Sequence, residues 1–201
     1  DYCGYRRLLA DPAAISAELA QDIGRFGDLT DRHVIHLQCH VGTDTIGFAR
    51  LGASRVVGLD LSVASLAHAR SIAEKAGADI EYVHANVYDA RRAVTGDFDL
   101  VYTSIGVLCW LPDVGEWARV VASLLKPGGT FFIRDDHPMF MAIGEDVSDG
   151  ALGSCDAEHL CGDERLLHGG RSLGLLFGGG EDRARRALLP RGVCRADRGE
   201  E

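Results

Sequence analysis

The sequence predicts an α/β fold built on a doubly wound, mostly parallel sheet of five strands. Three observations predict it. Short apolar runs of strand length alternate with stretches of helical periodicity from Val34 to Arg134. Each change of element is marked by glycine, proline or a capping residue, as at Gly42, Gly52, Ser62, Gly77 and Pro127. The alternation stops near Gly150, beyond which the residues that build strands almost disappear.

The elements follow in order. Ile15, Leu19 and Ile23 recur every fourth residue, so Asp11–Phe26 reads as an amphipathic helix with Pro12 near its start. Val34-Ile35-His36-Leu37 is a short buried strand, and Thr43–Leu51 a helix stopped by Gly52. A second strand, Arg55–Asp60, precedes a helix through Ala64–Ala76, with Ser62 as its N-cap and Gly77 as its stop. Ile80–His84 and Asp99–Ser104 are the third and fourth strands. Pro112–Leu125 is helical, and Pro127-Gly128-Gly129 turns the chain into a fifth strand, Thr130–Arg134. Strands separated by helices imply right-handed crossovers and a parallel sheet covered on both faces.

From Ala151 to Glu201 there are ten glycines and eight arginines, but only one aromatic residue (Phe177) and one valine (Val193). Leu173–Phe177 is the one short apolar run, and Asp182–Leu189 could form a short helix. The division is therefore an N-terminal helical lid segment (1–32), a ligand-binding domain (33–137), a connector (138–150) and a low-order tail (151–201). The abrupt change in composition suggests that the tail is an out-of-frame or otherwise aberrant continuation, leaving the fifth strand as an exposed edge. The first residue is Asp1 rather than methionine, which suggests a truncated N-terminus.

At 201 residues and 46% hydrophobic composition the chain is long enough for one domain with a substantial core. Its net charge of −9 provides no electrostatic footprint for nucleic acid or an anionic membrane. No apolar run approaches the roughly 18–20 residues that cross a bilayer, and no leader-like segment opens the chain, so the cytoplasm is the default compartment. The six cysteines form no Cys-x-x-Cys pair and read as reduced thiols. Cys155, His159 and Cys161 are too few and too irregularly spaced for a zinc site.

In a doubly wound sheet the ligand binds beyond the carboxyl ends of the strands. The first strand runs into Gln38-Cys39-His40-Val41-Gly42 directly before a helix. That loop can present backbone N–H groups to a carboxylate, with Gly42 permitting close approach or positive φ. Asp60, 18 residues after Gly42, ends the second strand, where a carboxylate can accept both hydroxyls of a ribose. The pair implies an adenosine-type ligand, and the absence of Gly-x-Gly-x-x-Gly argues against a nicotinamide.

Residues Val34–Arg134 resemble the Rossmann-like, class I S-adenosylmethionine-dependent methyltransferases of the type 11/type 25 methyltransferase-domain kind. Val34–Gly42 is similar to their first motif and Val57-Gly58-Leu59-Asp60-Leu61-Ser62 to their second. His84-Ala85-Asn86-Val87 stands where the family reads adenine. Phe98–Ser104 resembles the fourth strand and Leu124–Thr130 the turn into the fifth; the family's sheet continues with two more strands, so the resemblance implies that this one lacks its last two. The family has an acidic residue and two further glycines where this chain has His36, Gln38 and His40. The non-glycine residues imply a looser loop, and His36 cannot serve as carboxylate partner to the ligand's ammonium group unless another acceptor substitutes.

The resemblance implies S-adenosyl-L-methionine as cofactor and in-line methyl transfer to a small-molecule acceptor. It assigns Gln38, Cys39, Gly42, Asp60, Leu61, Asn86, Val87 and Ser104 to cofactor binding, with Asn86 acting by its side-chain amide and Val87 by its backbone N–H. It fixes no catalytic residue. His137, beside Asp135 and Asp136, is the one candidate base, though a solvated turn before Pro138 is the simpler reading. Tyr102 and Trp110 could line an acceptor pocket, and His36 reads as a satisfied core histidine. Two alternatives stand beside the enzyme: a degenerate domain that binds the cofactor without catalysis, and a same-fold enzyme of another kind, such as an aminopropyltransferase or a nucleotide-binding reductase.

Overall fold

The computed structural model describes residues 4–135 and the strand Leu173–Gly178. Two short helices open the chain, α1 (Tyr5–Ala10) and α2 (Ala17–Phe26). Then β1 (His33–Leu37), α3 (Thr43–Arg50), β2 (Arg55–Asp60), α4 (Val63–Ala76) and β3 (Glu81–His84) alternate. A 3-10 turn (Val87–Asp89) leads into α5 (Ala90–Ala93) and β4 (Phe98–Thr103). A second 3-10 turn (Leu108–Trp110) precedes α6 (Val114–Leu124) and β5 (Leu125–Asp135), and β6 is Leu173–Gly178.

The strands form one sheet in the order β3-β2-β1-β4-β5-β6, parallel except for β6. The strand order reverses between β2-β1 and β4, which places the ligand crevice over the carboxyl ends of β1, β2 and β4. The doubly wound, mostly parallel α/β sheet is the one expected. The exposed β5 edge is not. Leu173–Gly178 pairs antiparallel with β5, from Thr130↔Gly178 to Asp135↔Leu173, and so covers that edge. The Leu-Leu-Phe centre of this segment supplied enough strand propensity despite its glycines. The connector, Asp182–Leu189, His137 and the Cys155/His159/Cys161 group lie outside the described residues.

Alternation along β1 divides the core between the two faces of the sheet. Ile35 and Leu37 face a wholly apolar cluster with Val57, Leu59, Val101, Trp117, Leu124 and Phe131, covered by α5 and α6. Val34 points to the other face, with Leu19, Phe48, Val56, Leu100, Tyr102 and Phe132, under α2 and α3. Ser16, Ser62 and Asp113 cap α2, α4 and α6, each accepting a backbone N–H from the residue three positions on.

Three local expectations need correction. The helix expected over Asp11–Phe26 is shorter: the Asp11 carboxylate holds a turn by accepting the N–H of Ala13, and α2 starts only after Ser16. Its inner face carries Leu19 and Asp22, while Ile23 is exposed, because Asp22 is drawn inward by a buried two-bond pair with Arg134 on β5. The Pro127-Gly128-Gly129 segment is a bulge within β5 rather than a turn before it. Pairing jumps from Phe98↔Leu125 to Leu100↔Thr130, and Gly129 is needed where a side chain would meet the Phe98 carbonyl at 2.9 Å.

Candidate active site

The segment joining β1 to α3 is tighter than its sequence suggests. Gln38, His40 and Gly42 have φ of 56°, 50° and 73°, an alternation of left-handed residues. The looser loop expected of non-glycine residues is therefore corrected: Gln38 and His40 adopt the angles that glycine favours, at a cost of about 1–2 kcal/mol each. Three hydrogen bonds hold the segment. Cys39 N–H donates to the Leu59 carbonyl at 3.0 Å, Gly42 N–H to the Cys39 carbonyl at 2.9 Å, and His40 N–H to Asp60 Oδ2 at 2.8 Å. These three amides are thus engaged within the protein rather than offered to a ligand.

Asp60 stands at the end of β2, half-buried, with its second oxygen accepting the Ser62 N–H at 2.7 Å. Each carboxylate oxygen has one backbone partner and retains a second lone-pair direction. Leu61, next along, is 64% exposed, and its carbonyl accepts from His84 Nε2 at 3.0 Å. Gly42 has the positive φ expected of it and meets a further demand. A side chain there would run into the Tyr82 hydroxyl, so the missing Cβ makes room for a tyrosine of β3 as well as permitting positive φ. Cys39 is buried beside this tyrosine, and burial, helped by the Asp60 charge, pushes its thiol up to about 12, which makes it an unreactive packing group. The Gln38 Oε1 atom is buried and has no hydrogen-bond partner among the described residues.

Asn86 is exposed after β3. Its side-chain oxygen accepts the Tyr88 N–H at 3.1 Å, which leaves its amide NH2 for a partner outside the turn. Val87 buries its side chain in the apolar face, so only its backbone can address a ligand. Ser104 follows β4, with its hydroxyl 3.4 Å from His36 Nε2.

His36 is 2% exposed, and burial depresses it to about 3, the Asp60 charge opposing only weakly. It is therefore neutral. Its Nδ1 lies 2.9 Å from Thr45 Oγ1, and its ring meets Tyr102 edge-on at 4.9 Å. Tyr102 does not line a pocket: it is fully buried, stacked on Phe132, and donates to Asp44 Oδ2 at 3.3 Å. Trp110, by contrast, is 81% exposed.

Sequence reasoning missed Asp44. It lies in the first turn of α3 at 6% exposure. Burial pushes its carboxyl above the usual carboxylate range, against hydrogen bonds from Ser16, Ser104 and Tyr102. The clue was its place two residues after Gly42, but nothing in helical periodicity marks a polar residue as buried. Asp135 was also missed as a structural group. It accepts Gly106 N–H at 2.7 Å and Leu108 N–H at 3.2 Å, fastening the segment after β4. The candidate base His137 lies outside the described residues.

Comparison with known proteins fits this geometry. The profile of the family described as methyltransferase domain matches residues 34–129. The ubiquinone biosynthesis O-methyltransferase of Bordetella avium is 31% identical over 74% of this chain and 64% of its own length. The protein of the same name from Sodalis glossinidius is 35% identical over 59% of this chain and 49% of its own. The chain thus spans about half to two thirds of these curated relatives. Among solved structures, an S-adenosylmethionine-dependent methyltransferase from Mesorhizobium loti is 34% identical with a TM-score of 0.54, covering 63% of this chain and 56% of that one. A second, from Listeria monocytogenes, is 25% identical with a TM-score of 0.52 over 62% and 57% of the two chains. Through residues 34–129, the chain is similar to the methyltransferase-domain family.

Proposed function

We propose that this protein binds S-adenosyl-L-methionine and transfers its methyl group to a small-molecule acceptor in the cytoplasm. The observation that carries the reading is Asp60: a carboxylate at the carboxyl end of β2, one strand from the switch point of the sheet, each oxygen with one backbone partner and one lone-pair direction to spare. A ribose diol needs two acceptors side by side, and this carboxylate supplies them. The unpartnered Gln38 Oε1 is a further acceptor in the adjoining loop. On these two features the residues fit the cofactor.

Bound S-adenosylmethionine supplies a methyl group already activated on a sulfonium. The protein's work is then alignment and exclusion of water. Asp60 would hold the ribose, the Asn86 amide and Val87 backbone the adenine edge, and the Gln38–Gly42 loop the remainder. A base is required only for an acceptor that must lose its proton early. That the relatives are ubiquinone biosynthesis O-methyltransferases favours a small-molecule acceptor and methyl transfer over aminopropyl transfer. No helix of the described residues is long and apolar enough to cross a membrane, which suits an acceptor met in solution.

Titration calorimetry with S-adenosylmethionine and S-adenosylhomocysteine tests the reading. Saturable binding of both is expected, with Asp60→Ala weakening it by about 1–3 kcal/mol. No binding of either ligand would remove the proposal. Binding without methyl release across an acceptor panel would leave a cofactor-binding protein.

A further inference from the structure

We propose that Asp44 receives the α-ammonium group of the S-adenosyl ligand, supplying from the first turn of α3 the carboxylate that position 36 lacks. The inference rests on the cofactor reading above and adds a residue to it.

His36 cannot do this work. It is buried and neutral, and both ring nitrogens lie near hydroxyls, Thr45 on one side and Ser104 on the other. One arrangement of protons satisfies the chain: Thr45 donates to Nδ1, Nε2–H donates to Ser104, and Ser104 donates to Asp44. The relay ends on the Asp44 carboxylate, which also accepts from Tyr102 at 3.3 Å and from Ser16.

Every one of these partners is a neutral hydroxyl. Among the described residues no cation pairs with Asp44, whereas the other buried aspartate of this region, Asp22, is gripped by Arg134. Asp22 adds only a like charge. A buried carboxylate with hydroxyl partners alone is poorly compensated, and a cation in contact would favour its ionised form. Its position suits such a guest. Asp44 lies between the loop after β1 and Ser104 at the end of β4, on the ligand edge of the sheet. In S-adenosylhomocysteine, which has no sulfonium, the α-ammonium is the one cation available to fill the role.

The test is calorimetric titration of the whole chain with three ligands. They are S-adenosylhomocysteine, its analogue lacking the α-amino group, and 5′-methylthioadenosine, which lacks the amino-acid portion altogether. Asp44→Asn should weaken S-adenosylhomocysteine about 10- to 100-fold, and leave 5′-methylthioadenosine within about 3-fold. The unaltered chain should disfavour the des-amino analogue by a similar factor, and Asp44→Asn should erase that preference. Equal affinity of the unaltered chain for S-adenosylhomocysteine and its des-amino analogue would overturn the proposal, and that comparison needs no variant to fold. Equal loss of S-adenosylhomocysteine and 5′-methylthioadenosine in Asp44→Asn would also overturn it, showing a role in shape alone. A chain that binds none of the three overturns the cofactor reading, and this inference with it.

Discussion

The two faces of the sheet are built on different principles. Under α5 and α6 the core is apolar throughout: Ile35, Leu37, Val57, Leu59, Val101 and Phe131 meet Trp117 and Leu124 with no charged group among them. Under α2 and α3 the aromatic cluster of Phe48, Tyr102 and Phe132 is interleaved with buried His36, Asp44, Thr45, Asp22 and Arg134. The first face needs only volume and burial. The second needs partners, and its ion pair and carboxylate contacts join distant parts of the chain: Asp22 and Arg134 are 112 residues apart, Asp44 and Tyr102 58. Both faces reach the candidate ligand edge, the apolar one through Val87, but the buried polar groups His36 and Asp44 lie on the second.

The sharpest way to break this contrast is at the buried ion pair. Arg134→Met should destabilise the chain by about 3–5 kcal/mol, since it leaves the buried Asp22 carboxylate with only a long contact, 3.9 Å, to Arg25. Adding Asp22→Leu should recover most of that loss. Urea unfolding would show it, and a single variant costing less than about 1 kcal/mol would mean the pair is not buried in solution.

A middle-sized effect follows from His36. Its folded pKa, near 3, lies below the ordinary value of 6.5, so the unfolded chain takes up a proton that the folded chain refuses. Stability should therefore fall as pH drops from about 6.5 towards 3, by up to about 1.4 kcal/mol per pH unit for this group. Asp44, with its raised pKa, acts in the opposite sense at the acidic end. The difference between the unaltered chain and His36→Gln isolates the histidine. Identical pH slopes would show that position 36 is solvated.

The smallest effect belongs to the apolar face. The Trp117 indole N–H is buried without an acceptor among the described residues. Trp117→Phe should cost about 1 kcal/mol or less, because lost packing is offset by removal of an unsatisfied donor. A loss above about 3 kcal/mol would reveal a polar partner and erase the distinction between the faces.

The same contrast explains what could be read from sequence. The strands β1, β2 and β4 and the helix α4 were legible to within two residues, because apolar runs and caps such as Ser62 and Gly77 are local signals. Asp60 was legible for the same reason, its place being fixed by the end of a strand and the spacing from Gly42. Asp22, Asp44 and Arg134 were not, since a charged residue is read as exposed until its partner is known. Ile23 was assigned to the core on periodicity, and the Asp22–Arg134 pair turned the helix away from it. The left-handed angles at Gln38 and His40 were hidden as well. They are imposed by bonds to Leu59 and Asp60 on the neighbouring strand, which outweigh the residues' own preference.

The bond from His40 to Asp60 has one more consequence. The carboxylate proposed to hold the ribose is also the group that shapes the loop beside it, since the bond joins the loop after β1 to the end of β2. Assembly of the sheet thus prepays the ordering of the pocket, which is preorganised before any ligand arrives. Capture of the ligand would then be governed by encounter rather than rearrangement, and a lesion at Asp60 would slow arrival as well as hasten departure.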